Sequence, residues 1–195
     1  EEPDPERKKL LATIKREATL SNQWISGMLT FSKSPFLVTE ETAVSLQSTL
    51  PDLLADFARS HQGGDVKIVR DVGENLPPVM LSRDNMRHIL FNLLENAVQA
   101  MPSGGVITVR AHDTGNGFLE MRVEDTGSGI EPAILPSVFE PFFTTKEGGT
   151  GLGLSIVQKI LLDIGGDVEV RSQPGIGTTF ILKLPTVGAR YEPAR

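Results

Sequence analysis

A chain of 195 residues with 39% hydrophobic and 23% charged residues carries enough apolar material for one core plus an appendage, and its composition excludes wholesale disorder. The formal net charge of -6 argues against a general nucleic-acid binder, which needs a basic face to displace counterions, while leaving room for a local anion site. The absence of cysteine excludes disulfides, thiol catalysis and Cys-ligated zinc, and three scattered histidines argue against a histidine-rich metal site.

No stretch is long and apolar enough to span a bilayer, and the first residues are acidic where a signal peptide is basic. A cytoplasmic location is expected, with no membrane contact by this chain. Because it opens on Glu1 and not on methionine, it is also expected to be a piece of something longer, whose anchoring is left open.

From Pro5 to Ser34 the sequence predicts one long helix, with no internal proline and a single glycine, Gly27. Leu11, Ile14, Ala18, Ile25 and Met28 fall on the seam of a coiled coil or bundle, and Leu10, Leu20, Trp24, Leu29 and Phe31 widen it. Two readings stay open: a helix packed on its own domain, and a dimerisation helix, since so broad a stripe needs several neighbours. Ser34-Pro35 ends the helix and a linker follows.

Gln47 to His61 reads as a helix with Leu50, Leu53, Leu54 and Phe57 on one face and Gly63-Gly64 as a stop. Val66–Val69 and Val79–Leu81 read as short strands, and Arg83 to Met101 as a second helix burying Met86, Ile89, Leu90, Leu93, Ala97 and Ala100. Strands are expected at Val106–Ala111, Phe118–Glu124, Asp167–Arg171 and Thr178–Leu184, with a helix over Thr150–Ile164. Strands following one another as hairpins, with helices in separate blocks, predict an α+β sheet covered on one face. The tail after Pro185 is expected to be loose.

Three stretches carry the chemistry. On the second helix Asn92, Asn96 and Gln99 make a polar stripe along the border of the buried face. Amide oxygens there add no charge, which suits a magnesium already neutralised by phosphates; ordinary surface amides are an equal alternative. Glu95 reads as a solvated charge. Asp125 closes a strand and is followed by Gly127 and Gly129, which let backbone approach a flat ligand, so its carboxylate is placed to accept from an exocyclic amine such as adenine's. An aspartic protease loop looks the same, but a monomeric protease needs two copies and this chain has one. Gly148-Gly149-Thr150-Gly151-Leu152-Gly153 leads into a helix starting near Leu154, which gathers backbone N–H groups and the positive end of a helix dipole into an anion cradle. It lacks the closing Gly-Lys-Ser/Thr of a Walker loop. Between the last two lies Phe139-Glu140-Pro141-Phe142-Phe143-Thr144-Thr145-Lys146, read both as core packing and as a lid that brings Lys146 near phosphates.

In this order the motifs resemble the catalytic, ATP-binding domain of sensor histidine kinases, within the superfamily that includes DNA gyrase, Hsp90 and MutL. Asn92–Ala97 is similar to the N box, Asp125–Ile130 to the first glycine box, Phe139–Phe143 to the F box, Gly149–Leu154 to the second glycine box and Gly175–Thr178 to the third. The phrase from Glu140 to Lys146 is similar to kinases of the nitrogen-regulation type. The resemblance implies a two-layer α/β sandwich of the Bergerat type. It implies ATP and Mg2+ as cofactors, Asn96 helped by Asn92 on the metal, and Asp125 on adenine with Thr178 behind it through water. Gln99, Gly127, Gly129, Ile130, Phe143, Lys146, Thr150 and Leu154 would line the nucleotide, and Gly149, Gly151, Leu152 and Gly153 would offer N–H groups to phosphates. In the ATPase branch a glutamate one turn before the metal asparagine activates water; here that place is Asn92, which is no base, so phosphoryl transfer to a protein side chain is the reaction implied.

The resemblance implies domains at 1–34 (second dimerisation helix only), 35–43 (linker), 44–185 (catalytic) and 186–195 (tail), and as partners a response regulator protein and a second copy in the parent. The pattern departs where a phosphoacceptor helix is expected: no histidine precedes Val44, and His61, His88 and His112 lack the acceptor context. A serine kinase of the anti-sigma-factor kind and a non-catalytic nucleotide-sensing scaffold are the alternatives; the F box and helical extension argue against the first, the intact boxes against the second.

Overall fold

The computed structural model describes residues 4, 6–7, 10–11, 13–14, 43–61, 65–146 and 149–188. The predicted long helix lies mostly outside the described residues. Those of its residues that are described from Glu6 to Ile14 are helical, and Leu10, Leu11 and Ile14 are more than half exposed.

From residue 43 onward the described residues build three α-helices, one turn of 3-10 helix at Leu135–Ser137 and a five-stranded sheet. In chain order the α-helices and strands are α1 (Leu46–Ser60), β1 (Val66–Val72), α2 (Arg83–Ala100), β2 (Gly105–Asp113), β3 (Phe118–Asp125), α3 (Gly153–Asp163), β4 (Asp167–Gln173) and β5 (Gly177–Pro185). The sheet order is β1-β2-β3-β5-β4. β1 and β2 run parallel, because α2 is the crossover between them; the other neighbours are antiparallel. The sequence had suggested strands following one another as hairpins; β2–β3 and β4–β5 are hairpins, whereas β1–β2 is a parallel crossover pair and β3–β5 joins strands that are not consecutive. Val79–Leu81, predicted as a strand, makes only single bridges from Val79 to Val44 and Thr186. Pro77 and Pro78 supply no N–H groups on its approach, and Ser82 already caps α2 by accepting from the Asn85 N–H at 3.2 Å.

Strand alternation sorts the two faces of the sheet. Ile107, Val109, Ala111, Leu119, Met121, Val123, Phe180, Leu182, Leu184 and Val168 are buried on the inner face. Against them lie Leu50, Leu53 and Phe57 of α1, Met86, Ile89, Leu90, Leu93, Leu94 and Ala97 of α2, and Val157, Ile160 and Leu161 of α3 in one continuous core. The outer face carries charge instead: Arg110 pairs with Glu124 at 3.4 Å and Asp71 at 3.7 Å, and Arg122 with Glu120 at 2.6 Å. One face packed and one solvated makes this the two-layer α/β sandwich that was expected.

Candidate nucleotide site

The site begins where the core ends. Along the inner face, Val123 of β3 is level with Phe180 of β5, and Phe180 with Val170 of β4; the next rung out is Asp125, Thr178 and Ser172. Two residues further along each strand, the same face turns from apolar to polar. Asp125 Oδ1 accepts from the Gly127 N–H at 2.8 Å and the Thr178 N–H at 3.3 Å. Burial pushes the Asp125 carboxyl above its ordinary pKa, against the pull of those two N–H groups and of the Lys146 charge.

The glycine loop after Asp125 is tied down on both sides. The Ser128 N–H donates to the Ala100 carbonyl at the end of α2 (3.0 Å), and the Ser128 carbonyl accepts from the Gly175 N–H in the β4–β5 turn (2.7 Å). The Ile130 N–H donates to the Ser172 hydroxyl at 2.8 Å. Gly129 sits at φ 71 with its α-carbon so close to the Gln173 backbone that no side chain fits. The first and third glycine motifs are therefore in direct contact.

The amide stripe meets the far end of the F-box segment. Lys146 Nζ donates to Asn96 Oδ1 at 2.7 Å and to Gln99 Oε1 at 2.6 Å. Lys146 is an exposed residue overall, yet the burial of its ammonium among these groups lowers its pKa, opposed by the charges of Glu95 and Asp125. Glu95, read from the sequence as a solvated charge, is half-buried, and its charge opposes that lowering. Asn92 faces elsewhere: its Nδ2 donates to the His88 carbonyl at 2.8 Å, and its Oδ1 points at Gly153, 2.6 Å from where a β-carbon there would sit.

Gly153 opens α3, and no side chain caps this helix. The first intrahelical bond runs from the Ile156 N–H to the Leu152 carbonyl at 2.9 Å, so the Gly153, Leu154 and Ser155 N–H groups precede the ladder. Two other predicted donors are engaged inside the loop: the Gly149 N–H on the Lys146 carbonyl (3.1 Å) and the Leu152 N–H on Thr150 Oγ1 (3.3 Å). Gly151, at φ 65, packs against the Phe142 backbone, and its carbonyl accepts from the Phe142 N–H at 2.9 Å. In the F box, Phe139 packs edge-on against Phe180 with ring centroids 6.5 Å apart, Phe143 is half-buried, and Phe142 is 58% exposed at φ 68. Core anchor and exposed aromatic are thus different residues of one motif. A shallow groove of about 330 Å³ on the outer side of α3, lined by Phe139, Pro141 and Leu162 among others, contains none of the predicted nucleotide residues except by adjacency.

Comparison with known proteins now bears on this arrangement. The model of the family described as histidine kinase-, DNA gyrase B- and HSP90-like ATPase matches residues 81–188, which include every box. The chain belongs to this family. Sensor histidine kinase ZraS of Escherichia coli (strain K12) is 34% identical over 96% of this chain and 40% of its own length. Sensor kinase CckA of Brucella abortus (strain 2308) is 36% identical over 90% of this chain and 20% of its own. Among solved structures, the catalytic domain of histidine kinase ThkA superposes with a TM-score of 0.67 at 28% identity, over 74% of this chain and 95% of that one. Full-length ShkA in complex with AMPPNP shares the fold over the whole chain, with a TM-score of 0.77 at 23% identity. The chain spans less than half the length of the sensor kinases it matches. Among the described residues of this ATPase-family member, no helix is long and apolar enough to cross a membrane.

Ser172 is the site residue that sequence reasoning missed. The expected strand stopped at Arg171, which left Ser172 in a turn. Counting the hairpin symmetrically about Pro174-Gly175-Ile176 would have placed it opposite Thr178, as observed.

Proposed function

We propose that this chain is the Mg-ATP-binding catalytic domain of a two-component sensor histidine kinase, which passes the γ-phosphoryl of ATP to a histidine outside this chain. The observation that carries the reading is the convergence on Lys146. Its ammonium is held by Asn96 of the N box and by Gln99 one turn further along α2, and its charge acts on Asp125 of the first glycine box, so three segments far apart in the chain converge on one charge.

Asp125 accepts the adenine amine at the polar rung of the sheet. The uncapped start of α3 takes phosphate oxygens on the Gly153 and Leu154 N–H groups, helped by the dipole of that helix. Asn96 already holds a positive group on its carbonyl oxygen, and Asn92 presents a second neutral oxygen beside Gly153, a donor set that suits Mg2+. When bound, the metal would neutralise charge on the phosphates. Lys146, on leaving Asn96, would serve the same phosphates. Nothing at position 92 abstracts a proton from water, so the site positions phosphate for a protein acceptor and does not hydrolyse it by design.

The proposal extends to domain organisation, with 1–34 as the second dimerisation helix, 35–43 as linker, 44–185 as the catalytic domain and 186–195 as tail, and to a response regulator protein as partner. Incubation with radiolabelled Mg-ATP tests it. Nucleotide should bind saturably and leave no acid-labile phosphate on the chain, whereas phosphohistidine on this chain alone would contradict the assignment of the acceptor to another segment.

A further inference from the structure

The sheet ends on β1, a seven-residue strand with no proline in which Val66, Ile68, Val69 and Val72 are half-buried. Among the described residues no segment pairs with its outer side. A free edge of this length is a template for another strand unless something discourages the pairing. Two bonds at its ends fix which groups are free: the Gly105 N–H donates to the Asp65 carbonyl at 3.1 Å, and the Gly73 N–H to the Ala111 carbonyl at 2.9 Å. Successive residues of a strand turn their N–H and C=O to opposite sides, so Lys67, Val69 and Asp71 bond β2. Val66, Ile68, Arg70 and Val72 turn theirs to the open edge.

The residues along this edge, Val66-Lys67-Ile68-Val69-Arg70-Asp71-Val72, are complementary to their own reverse. We propose that β1 is an interaction surface for a second copy of this chain: two β1 strands pair antiparallel about a two-fold axis at Val69 and join the two five-stranded sheets into one. Val66 then exchanges both its bonds with Val72 of the second copy, and Ile68 with Arg70, so every outward N–H and C=O of the strand is used. Lys67, Val69 and Asp71 fall at the non-hydrogen-bonded positions, where facing side chains come closest. On that solvated face Lys67 meets Asp71 of the second copy on both sides of the axis, and Val69 meets its own counterpart. Asp71 is 66% exposed despite Arg110 at 3.7 Å, which leaves it open to this pairing. Slipping the axis to Ile68 sets Asp71 against Asp65 of the second copy, and slipping it to Arg70 sets that arginine against itself. The charges that keep unrelated strands off the edge thus select one partner and one register. This contact belongs to the sheet and is separate from the helix predicted at 5–34.

The chain has no cysteine, so Val69→Cys in the 195-residue chain sets one thiol against its own copy. Under mild oxidation with diamide it should form a covalent dimer about tenfold faster or more than Arg171→Cys, which lies on the outer face of the opposite edge strand. In the Val69→Cys background Lys67→Asp sets like charges opposite each other at two places and should slow the reaction about fivefold or more; adding Asp71→Lys should restore it. Association through the N-terminal helix alone gives no such charge dependence. Equal rates at 69 and 171, a charge reversal without effect, or a double swap no faster than the single one overturns the proposal. Amide exchange of the unaltered chain, read by NMR, keeps the test alive should the cysteine variant melt. As concentration rises, the amides of Val66, Ile68, Arg70 and Val72 should slow, while those of Lys67, Val69 and Asp71, already bonded to β2, stay as they are. Exchange independent of concentration at all four outward amides overturns the proposal as well.

Discussion

Gly151→Ala isolates the phosphate cradle. Gly151 has φ 65, a left-handed conformation that costs an alanine about 1 kcal/mol. A β-carbon there would also lie 2.6 Å from the Phe142 carbonyl oxygen and 2.7 Å from the Phe142 α-carbon, and backbone atoms cannot turn aside as a side chain can. Relief requires the loop to move off Phe142, which sacrifices the 2.9 Å bond from the Phe142 N–H to the Gly151 carbonyl, worth about 1 kcal/mol net. The loop lies at the edge of the domain, so it shifts and the core persists. The cost of about 2 to 3 kcal/mol is met when the cradle re-forms on phosphate, a loss of roughly 30- to 150-fold in Mg-ADP affinity. Calorimetric titration reads the affinity and thermal melting reads the fold. Gly115→Ala is the control: φ is 75 there, yet nothing lies within 4 Å of the added carbon. It should lower the melting temperature by a few degrees and leave ADP binding alone. If Gly151→Ala binds Mg-ADP within threefold of the unaltered chain, the cradle is not where the phosphates sit.

The contact of Lys146 with Asn96 makes a second prediction, since Asn96 Oδ1 cannot serve an ammonium and a divalent cation together. Lys146→Met should raise the affinity of the nucleotide-free chain for Mn2+, read by electron paramagnetic resonance, and weaken binding of metal-free ADP; unchanged Mn2+ affinity would refute the overlap. Asp125 gives a pH prediction of two opposite signs. Its carboxyl is harder to ionise folded than unfolded, because of burial, so its contribution to stability is greatest in acid and is lost as pH rises past the ordinary carboxylate value through the raised one. Nucleotide binding needs the ionised form, so ADP affinity should fall as pH drops through that same window. Melting curves and titrations on the unaltered chain and on Asp125→Asn check both, and an equal pH response in the variant would contradict the assignment.

Helix periodicity announced the core faces well: Leu50, Leu53, Leu54 and Phe57 on α1, and Met86, Ile89, Leu90, Leu93 and Ala97 on α2, are buried as expected. Leu94 was missed because it borders the polar stripe, and Ala100 is only half-buried because its carbonyl serves the glycine loop at the end of α2. The order of the boxes was legible because each is a short run of residues with its own local geometry. What could not be read were relations between distant segments. One such relation was readable all the same and went unread: the helix between β1 and β2 makes them a parallel crossover pair and not a hairpin. Lys146 finds Asn96 across 50 positions, and Asn92 turns toward Gly153, only because α2 and α3 pack side by side. Ser172 was missed for a nearer reason: the expected strand ended one residue early, at Arg171, whereas symmetric counting about the β4–β5 turn sets Ser172 opposite Thr178.

The central claim is that Asp125 marks an adenine site at the edge of the sheet, and Asp125→Asn tests it most directly. An asparagine oxygen can still accept from the Gly127 and Thr178 N–H groups, and it removes a charge that burial disfavours, so the variant should melt at or above the temperature of the unaltered chain at neutral pH. Its affinity for Mg-ADP should fall by roughly 10- to 100-fold, the worth of a hydrogen bond to a charged acceptor. A variant that is folded and still binds Mg-ADP as tightly as the unaltered chain would contradict the account.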